Sequence, residues 1–258
     1  NNLTNVVEVL IANNGSTDST TSVLLKYPKF ITFSHNVNRG YDFNVLSLYK
    51  RSSGKYVIFV SDDDLVDEIG LIKLLELIKN GNYDCIITNF RGTINDKSVG
   101  GFDHIFSASQ PCTMSDIKNS LPFYFISSFA IAKGMKMSHK LWLGTNAMQM
   151  DLALSCLTNE STLYYLKDCV IEQNDDFKSL STVNQSMAKR WKIHFGFAMV
   201  KRKYQIKFHS IFPFYMELHA LSTFFLEWFK STQKFSDTID FVSTCYHWLR
   251  RNVYQIAN

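Results

Sequence analysis

Three consecutive acids, Asp62-Asp63-Asp64, follow the apolar run Tyr56-Val57-Ile58-Phe59-Val60 with only Ser61 between them. The run reads as a short buried strand, and the acids stand where it ends. In an open α/β sheet, ligands bind outside the carboxyl ends of the strands. Carboxylates crowded at one point repel each other, so a cation or a firm hydrogen-bond network must hold them. Magnesium takes oxygen ligands, commonly one or two carboxylates plus substrate phosphates, and manganese suits the same donors. The chemistry within reach is therefore a divalent metal held against a diphosphate. A plainer role stays open: Asp64 can cap a helix starting near Val66.

The elements that would position these acids follow from punctuation and period. Val6 to Ala12 reads as a strand, broken by Asn13-Asn14-Gly15-Ser16-Thr17-Asp18. Ser16 or Asp18 then caps a short helix through Lys26, which Pro28 ends. Phe30 to Phe33 reads as a second strand, and Asn36 to Gly40 as a loop. Asp42 can cap a helix to about Ser52, closed by Gly54. After the acids, Leu71, Ile72, Leu74, Leu75 and Ile78 fall at helical spacing and stop at Asn80-Gly81. Cys85 to Thr88 is a further strand. Strands and helices alternating in this way predict an α/β fold with a mostly parallel sheet flanked by helices.

Further along, Arg91 to Gln110 is rich in Gly, Ser and Asp and reads as a surface loop of the kind that carries binding function. Phe123 to Ala132 is apolar and buried, Asp151 to Leu157 a helix, and Thr162 to Leu166 a strand. Beyond Asn184 the character changes. Lys189, Arg190, Lys192, Lys201, Arg202, Lys203 and Lys207 occur with no acid among them, interleaved with Trp191, Phe195, Phe197, Tyr204 and Phe208. The expected division is residues 1–184 as one domain and 185–258 as a helical, basic and aromatic appendage.

The chain has 258 residues, 46% of them hydrophobic and 14% aromatic, enough to bury a substantial core. Its net charge of +4 is modest and no nucleic-acid module is present, so nucleic acid is excluded as a partner. The five cysteines are scattered and form no CxxC pair, which fits neither a zinc site nor a disulfide framework. No apolar run reaches the eighteen or so residues of a membrane span. Leu121 to Ala132 is too short, and Ile211 to Phe229 contains Glu217, His219 and Glu227. No secretory signal opens the chain. A cytoplasmic protein is expected, touching the inner face of the membrane through its basic aromatic stretch.

Taken in order, the motifs resemble family 2 glycosyltransferases of the GT-A fold. Val9-Leu10-Ile11-Ala12-Asn13-Asn14-Gly15-Ser16-Thr17-Asp18-Ser19-Thr20 is similar to that family's strand and G-S-T-D-x-T signature. Asn38-Arg39-Gly40 with Asn44 resembles its N-x-G…N element, Gly54-Lys55-Tyr56 its lead into the acidic strand, and Asp62-Asp63-Asp64 its DxD motif. Ser61-Asp62-Asp63-Asp64 with Tyr41-Asp42-Phe43-Asn44 looks most like the abequosyltransferase-type branch that builds bacterial surface polysaccharides. The resemblance implies a nucleotide-sugar donor contacted by Asn14, Ser16, Asp18, Asn38, Gly40, Asn44, Asp62 and Asp63. It also implies a divalent metal on Asp62 and Asp64, an acceptor that is a saccharide carried on a lipid, and inversion by a single displacement.

Two departures from the family pattern bear on function. The family opens with an earlier strand, so this sequence is expected to be a piece of a longer protein. Inverting members carry a Glu-Asp pair at the start of a helix under the acceptor. Here the matching stretch is Met148-Gln149-Met150-Asp151, with Gln149 at the position of the base. Asp151 and His104 are the remaining candidates for that role. Two other classes stay open: a nucleotidyltransferase, and a GT-A-like domain that binds a donor without turnover.

Overall fold

The structure is a computed structural model. It describes residues 6–94, 97–102, 105–120, 122–173, 196–197, 200 and 203–204. The chain forms two compact units, one of Asn1–Gly144 with Met148–Asp175 and one of Thr145–Ala147 with Asp176–Asn258.

In the first unit the strands are β1 (Leu10–Asn13), β2 (Ile31–Ser34), β3 (Tyr56–Ile58), β4 (Asp64–Val66), β5 (Cys85–Ile94), β6 (Lys97–Gly100), β7 (Gln110–Cys112), β8 (Phe129–Ala132) and β9 (Leu163–Gln173). The helices are α1 (Thr20–Leu24), α2 (Tyr41–Arg51), α3 (Glu68–Asn80), α4 (Met114–Ser120) and α5 (Met148–Cys156). The α/β architecture expected from the alternation is present. β1 and β2, linked through α1, pair in parallel. A second sheet runs β3-β8-β5-β9-β4, with β6 on β5 and β7 on β9. β3 and β5 share one sense because β8 lies antiparallel between them, and β9 runs parallel to β5. The further antiparallel pairs come from β4, β6 and β7.

Several boundaries differ from the sequence expectation, each for a tertiary reason. The apolar run ends as a strand at Ile58, and Asp64 begins a new strand that pairs Leu65 and Val66 with Glu172 and Ile171. The helix therefore starts later, and Asp67 is its cap, accepting from the Gly70 amide at 2.7 Å. Asp42 lies inside the first turn of α2, whose N-cap is Gly40. The stretch 91–110 is not a plain loop: β5 continues to Ile94, turns into β6, and β7 pairs with β9. α1 keeps only five residues and has no side-chain cap.

The core gathers under α3. Leu74, Ile86, Ala130, Leu166, Val170 and Ile171 pack together, with Leu77, Ile78 and Phe90 against them. Leu74 is buried and Leu75 half-buried, but Ile72 faces out at 40% exposure. Phe123 and Phe129 form an edge-to-face pair that is fully buried beside the start of β8. The four cysteines among the described residues, Cys85, Cys112, Cys156 and Cys169, are free thiols.

At the base of β3, the Glu8 carboxylate accepts from the Ser53 amide and hydroxyl and from the Gly54 amide. The Ser53 amide bond, ahead of the others, holds its pKa below the ordinary 4.5. A depressed carboxylate stabilises the fold above its unfolded pKa and loses that contribution as pH falls through the folded one. Melting curves taken between pH 7 and pH 3 are expected to show Glu8→Gln less stable than wild type at neutral pH. The gap should close below about pH 4.5. A gap constant with pH would mean that the charge on Glu8 contributes nothing.

In the second unit, the Gly196 backbone lies hard against the Thr145 carbonyl, leaving no room for a Cβ. Phe197 and Val200 are buried, and the Lys203 ammonium sits 4.9 Å above the Tyr204 ring. The rest of the expected basic aromatic stretch lies outside the described residues.

Candidate functional site

The turn after β1 is built on amide side chains. The Asn13 carboxamide is buried, accepting from the Ser16 amide at 2.9 Å and donating to the Thr21 hydroxyl at 3.0 Å. Gly15 has φ of 76°, a conformation that side chains rarely adopt, and a Cβ there would meet the backbone of Val37 and Asn38 at 2.6 Å. That close approach lets Asn14 reach across to the loop after β2. Its Nδ2 donates to Asn38 Oδ1 at 3.1 Å and to the Gly40 carbonyl at 3.3 Å, while its Oδ1 accepts the Arg39 amide at 3.0 Å. Asn38 Oδ1 also accepts the Gly40 amide at 2.8 Å. Asn14, Asn38 and Gly40 thus form one network, with Ser16 at its rim. Asp18 turns instead to its own segment, accepting from the Thr20 amide and hydroxyl, and those bonds, the hydroxyl's first, lower its pKa.

The acidic loop is held by serines. Ser61 Oγ donates to Asp63 Oδ1. Ser127, which is fully buried, donates its hydroxyl to Asp64 Oδ2 at 2.8 Å and accepts the Ser61 amide at 3.0 Å. Asp62 is exposed, and Asp63 and Asp64 are half-buried. Repulsion among the three carboxylates is met here by hydrogen bonds as well as by access to solvent. Among the described residues, no three His, Cys, Asp or Glu side chains converge as metal ligands. The donor set nevertheless fits a hard divalent cation of the kind that uses one or two carboxylates and completes its shell with substrate phosphates and water. Asp62 and Asp64 are the side chains that would hold it.

Side-chain contacts tie α2 to α5. Tyr41, one residue after Gly40, donates its hydroxyl to Gln149 Oε1 at 2.8 Å, and Gln149 Nε2 reaches the Phe123 carbonyl at 3.4 Å. Burial, with the neighbouring Asp42 charge, raises the Tyr41 phenol far above its ordinary value, so it stays protonated as a donor. Asp42 is buried and accepts the Met148 amide at 3.2 Å. Asn44 is placed in the same helix. Its Oδ1 is buried with no hydrogen-bond partner among the described residues, and its amide bonds to the Gly40 carbonyl.

The two expected bases fare differently. His104 lies outside the described residues. Asp151 is fully buried and accepts the Trp142 amide at 2.6 Å, so in this geometry it anchors the segment before α5. Gln149 is buried as well, with its side chain engaged at both ends. Ser127 and Tyr41 are the site-building residues that sequence reasoning missed as such. Ser127 carries no local signal and Tyr41 only its place in a motif, since each acts on a partner brought to it by the fold.

The sequence profile described as glycosyl transferase family 2 matches residues 1–137, just over half of the chain, and spans both loops. The chain belongs to glycosyl transferase family 2. Solved structures similar to this family member share its fold. A fragment of TarS from S. aureus, residues 1–349, superposes with a TM-score of 0.54 at 16% identity, covering 93% of this chain and 70% of that one. The same fragment in complex with UDP-GlcNAc gives 0.55 at 15% identity, over 93% and 71%. A longer TarS structure gives 0.54 at 17% identity, covering 72% of this chain and 34% of that one, so the family 2 chain spans about a third of its length. No curated protein matches the sequence. None of the described helices is long and apolar enough to cross a membrane.

Proposed function

We propose that the protein is a metal-dependent glycosyltransferase that moves a sugar from a nucleoside-diphosphate donor to a saccharide acceptor, with inversion. The observation that carries this reading is the serine-held acidic loop after β3, inside the segment that matches the family. UDP-sugars come first among the donors, because the similar TarS structures include complexes with UDP and UDP-GlcNAc.

In this reading the Asn14–Asn38–Gly40 network shapes the wall that meets the nucleoside, with Ser16, Asp18 and Asn44 nearby. Asp62, Asp63 and Asp64 face the ribose and diphosphate. A divalent cation, when bound, supplies Lewis-acid neutralisation of the charge gathering on the leaving diphosphate. Ser61 and Ser127 keep the carboxylates oriented, so little reorganisation is needed as that charge develops. The acceptor hydroxyl gives its proton to His104, or to Asp151 once the Trp142 amide has released it.

The form Ser61-Asp62-Asp63-Asp64 supports placement in the abequosyltransferase-like branch, with a hexosyl or deoxyhexosyl donor and a role in bacterial surface polysaccharide synthesis. The basic residues 189–207 support a lipid-linked acceptor at the cytoplasmic face of the membrane, since Lys and Arg attract anionic headgroups. The boundary between catalytic domain and appendage is placed near residue 184 on the same change in composition.

One observation favours a second reading. The family's base position holds Gln149, locked between Tyr41 and Phe123, which suits a domain that binds a donor without turning it over.

A thermal-shift panel of UDP-, GDP-, CDP- and dTDP-sugars, each with and without Mn²⁺, tests the donor site. At a hundredfold excess over Kd, binding adds about 2.7 kcal/mol, or roughly 5–10 °C for a chain of this size. A Mn²⁺-dependent shift for one nucleotide class is expected. No shift with any of them would remove the donor-site reading.

A further inference from the structure

The pairing of β3 with β8 sets Tyr56 opposite Ala132, Val57 opposite Ile131 and Ile58 opposite Ala130. Continued three residues past Ile58, the same register brings Ser61 opposite Ser127. The strands no longer form a ladder there, yet the Ser61 amide still finds a partner across the gap in the Ser127 hydroxyl oxygen, at 3.0 Å. That hydroxyl then spends its one proton on Asp64 Oδ2, at 2.8 Å. Ser127 therefore ties the end of β3 to the beginning of β4 through a side chain just ahead of β8, alongside the direct bond from the Asp64 amide to the Ser61 carbonyl at 3.2 Å.

The link is rigid on both sides. Ser127 has no solvent exposure. The adjoining Ser128, also buried, donates its hydroxyl to the Pro122 and Phe125 carbonyls, and its own carbonyl accepts the Thr88 amide at 2.9 Å. Phe129, the next residue, packs edge-to-face on Phe123. A serine fixed this firmly has little freedom to turn, and a hydroxyl has only one proton to give. With the Ser61 amide occupying one lone pair of its oxygen, that proton is directed at Asp64.

We infer that Ser127 is the positioning residue of the donor site: its hydroxyl fixes the rotamer of the Asp64 carboxylate, one of the side chains that would hold a divalent cation there. The inference rests on the transferase reading of the acidic loop and deepens it. Metal ligands are commonly oriented by hydrogen bonds from just behind them, and loss of such a bond typically costs 10–100-fold in metal affinity. Asp62, exposed and without a serine, then completes the pair as the adaptable ligand, whereas Asp64 is the preset one.

The test is a Mn²⁺ titration at fixed UDP-sugar, read by calorimetry or ligand fluorescence and not by turnover, on wild type, Ser127→Ala and Ser127→Thr. The half-saturating Mn²⁺ concentration should rise about tenfold or more in Ser127→Ala. In Ser127→Thr, which keeps the hydroxyl, it should return to within about threefold of wild type. Melting temperatures without ligand identify a variant that has lost its fold, and Ser127→Cys, similar in size but a weak donor, then takes the place of Ser127→Ala. A Mn²⁺ requirement unchanged in a folded Ser127→Ala or Ser127→Cys overturns the inference and leaves the donor site standing. Absence of Mn²⁺-dependent binding in wild type overturns the transferase reading itself, and the inference falls with it.

Discussion

Asp64→Ala abolishes the metal-dependent part of nucleotide-sugar binding, with donor affinity in Mn²⁺ falling by about a hundredfold or more. Two effects combine in this expectation. One carboxylate of the two that can face the cation is lost, and a hydroxyl buried with Ser127 is left without its acceptor. The second effect costs about 1–3 kcal/mol of stability, the desolvation penalty of an unpaired buried group. Asp62→Ala separates the two. Asp62 is exposed, so its loss should leave stability within about 0.5 kcal/mol while still weakening donor binding in Mn²⁺. Titrations of both variants with and without metal, alongside urea denaturation, check the pair. Equal donor affinity in wild type and Asp64→Ala, both folded, would take the metal site away from this loop.

Gly70→Ala destabilises the first unit by about 3 kcal/mol or more, the upper end for overpacking a core. On an exposed helix the same change would stabilise by roughly 1 kcal/mol, because alanine is the better helix former. The sign is reversed by packing. Gly70 is buried in the first turn of α3, and a Cβ there would sit inside the Cys169 carbonyl group. A backbone carbonyl in mid-strand cannot swing aside, so α3 must lift from β9. Lifting it also draws Asp67 off the Gly70 amide and uncovers Leu74. The acidic loop feeds into α3 through β4, so weaker donor binding should accompany the loss of stability. Urea denaturation gives the magnitude. A variant as stable as wild type would show that α3 does not dock this closely.

How much of this was legible in the sequence depends on how local each feature is. The acidic loop stood out because an apolar run ends there, and α2 and α3 because glycines and caps bracket them. The alternative role of Asp64 as a helix cap fails because Leu65 and Val66 form a strand with β9, more than a hundred residues away. The same distant strand, through β7, gives structure to part of the stretch that looked like a loop. Asn14 was expected to contact the donor; the bonds its carboxamide makes to Arg39, Asn38 and Gly40 were not legible, because they require Gly15 to press against the next loop. Ser127 gave no signal at all, being one of two adjacent serines in an apolar segment. Only the β3–β8 register makes it part of the site. Gln149 could be placed by its motif, yet its partner Tyr41 comes from another helix.

The most direct measurement of the central claim is release of nucleoside diphosphate from a panel of nucleotide sugars, with and without Mn²⁺, in wild type and Asp64→Ala. The transferase reading predicts Mn²⁺-dependent release from one nucleotide class, faster when a saccharide acceptor is added, and its loss in Asp64→Ala. Tight donor binding with no release from any nucleotide sugar, whatever the metal or acceptor, would contradict transfer and leave a donor-binding domain with Gln149 where a base would stand.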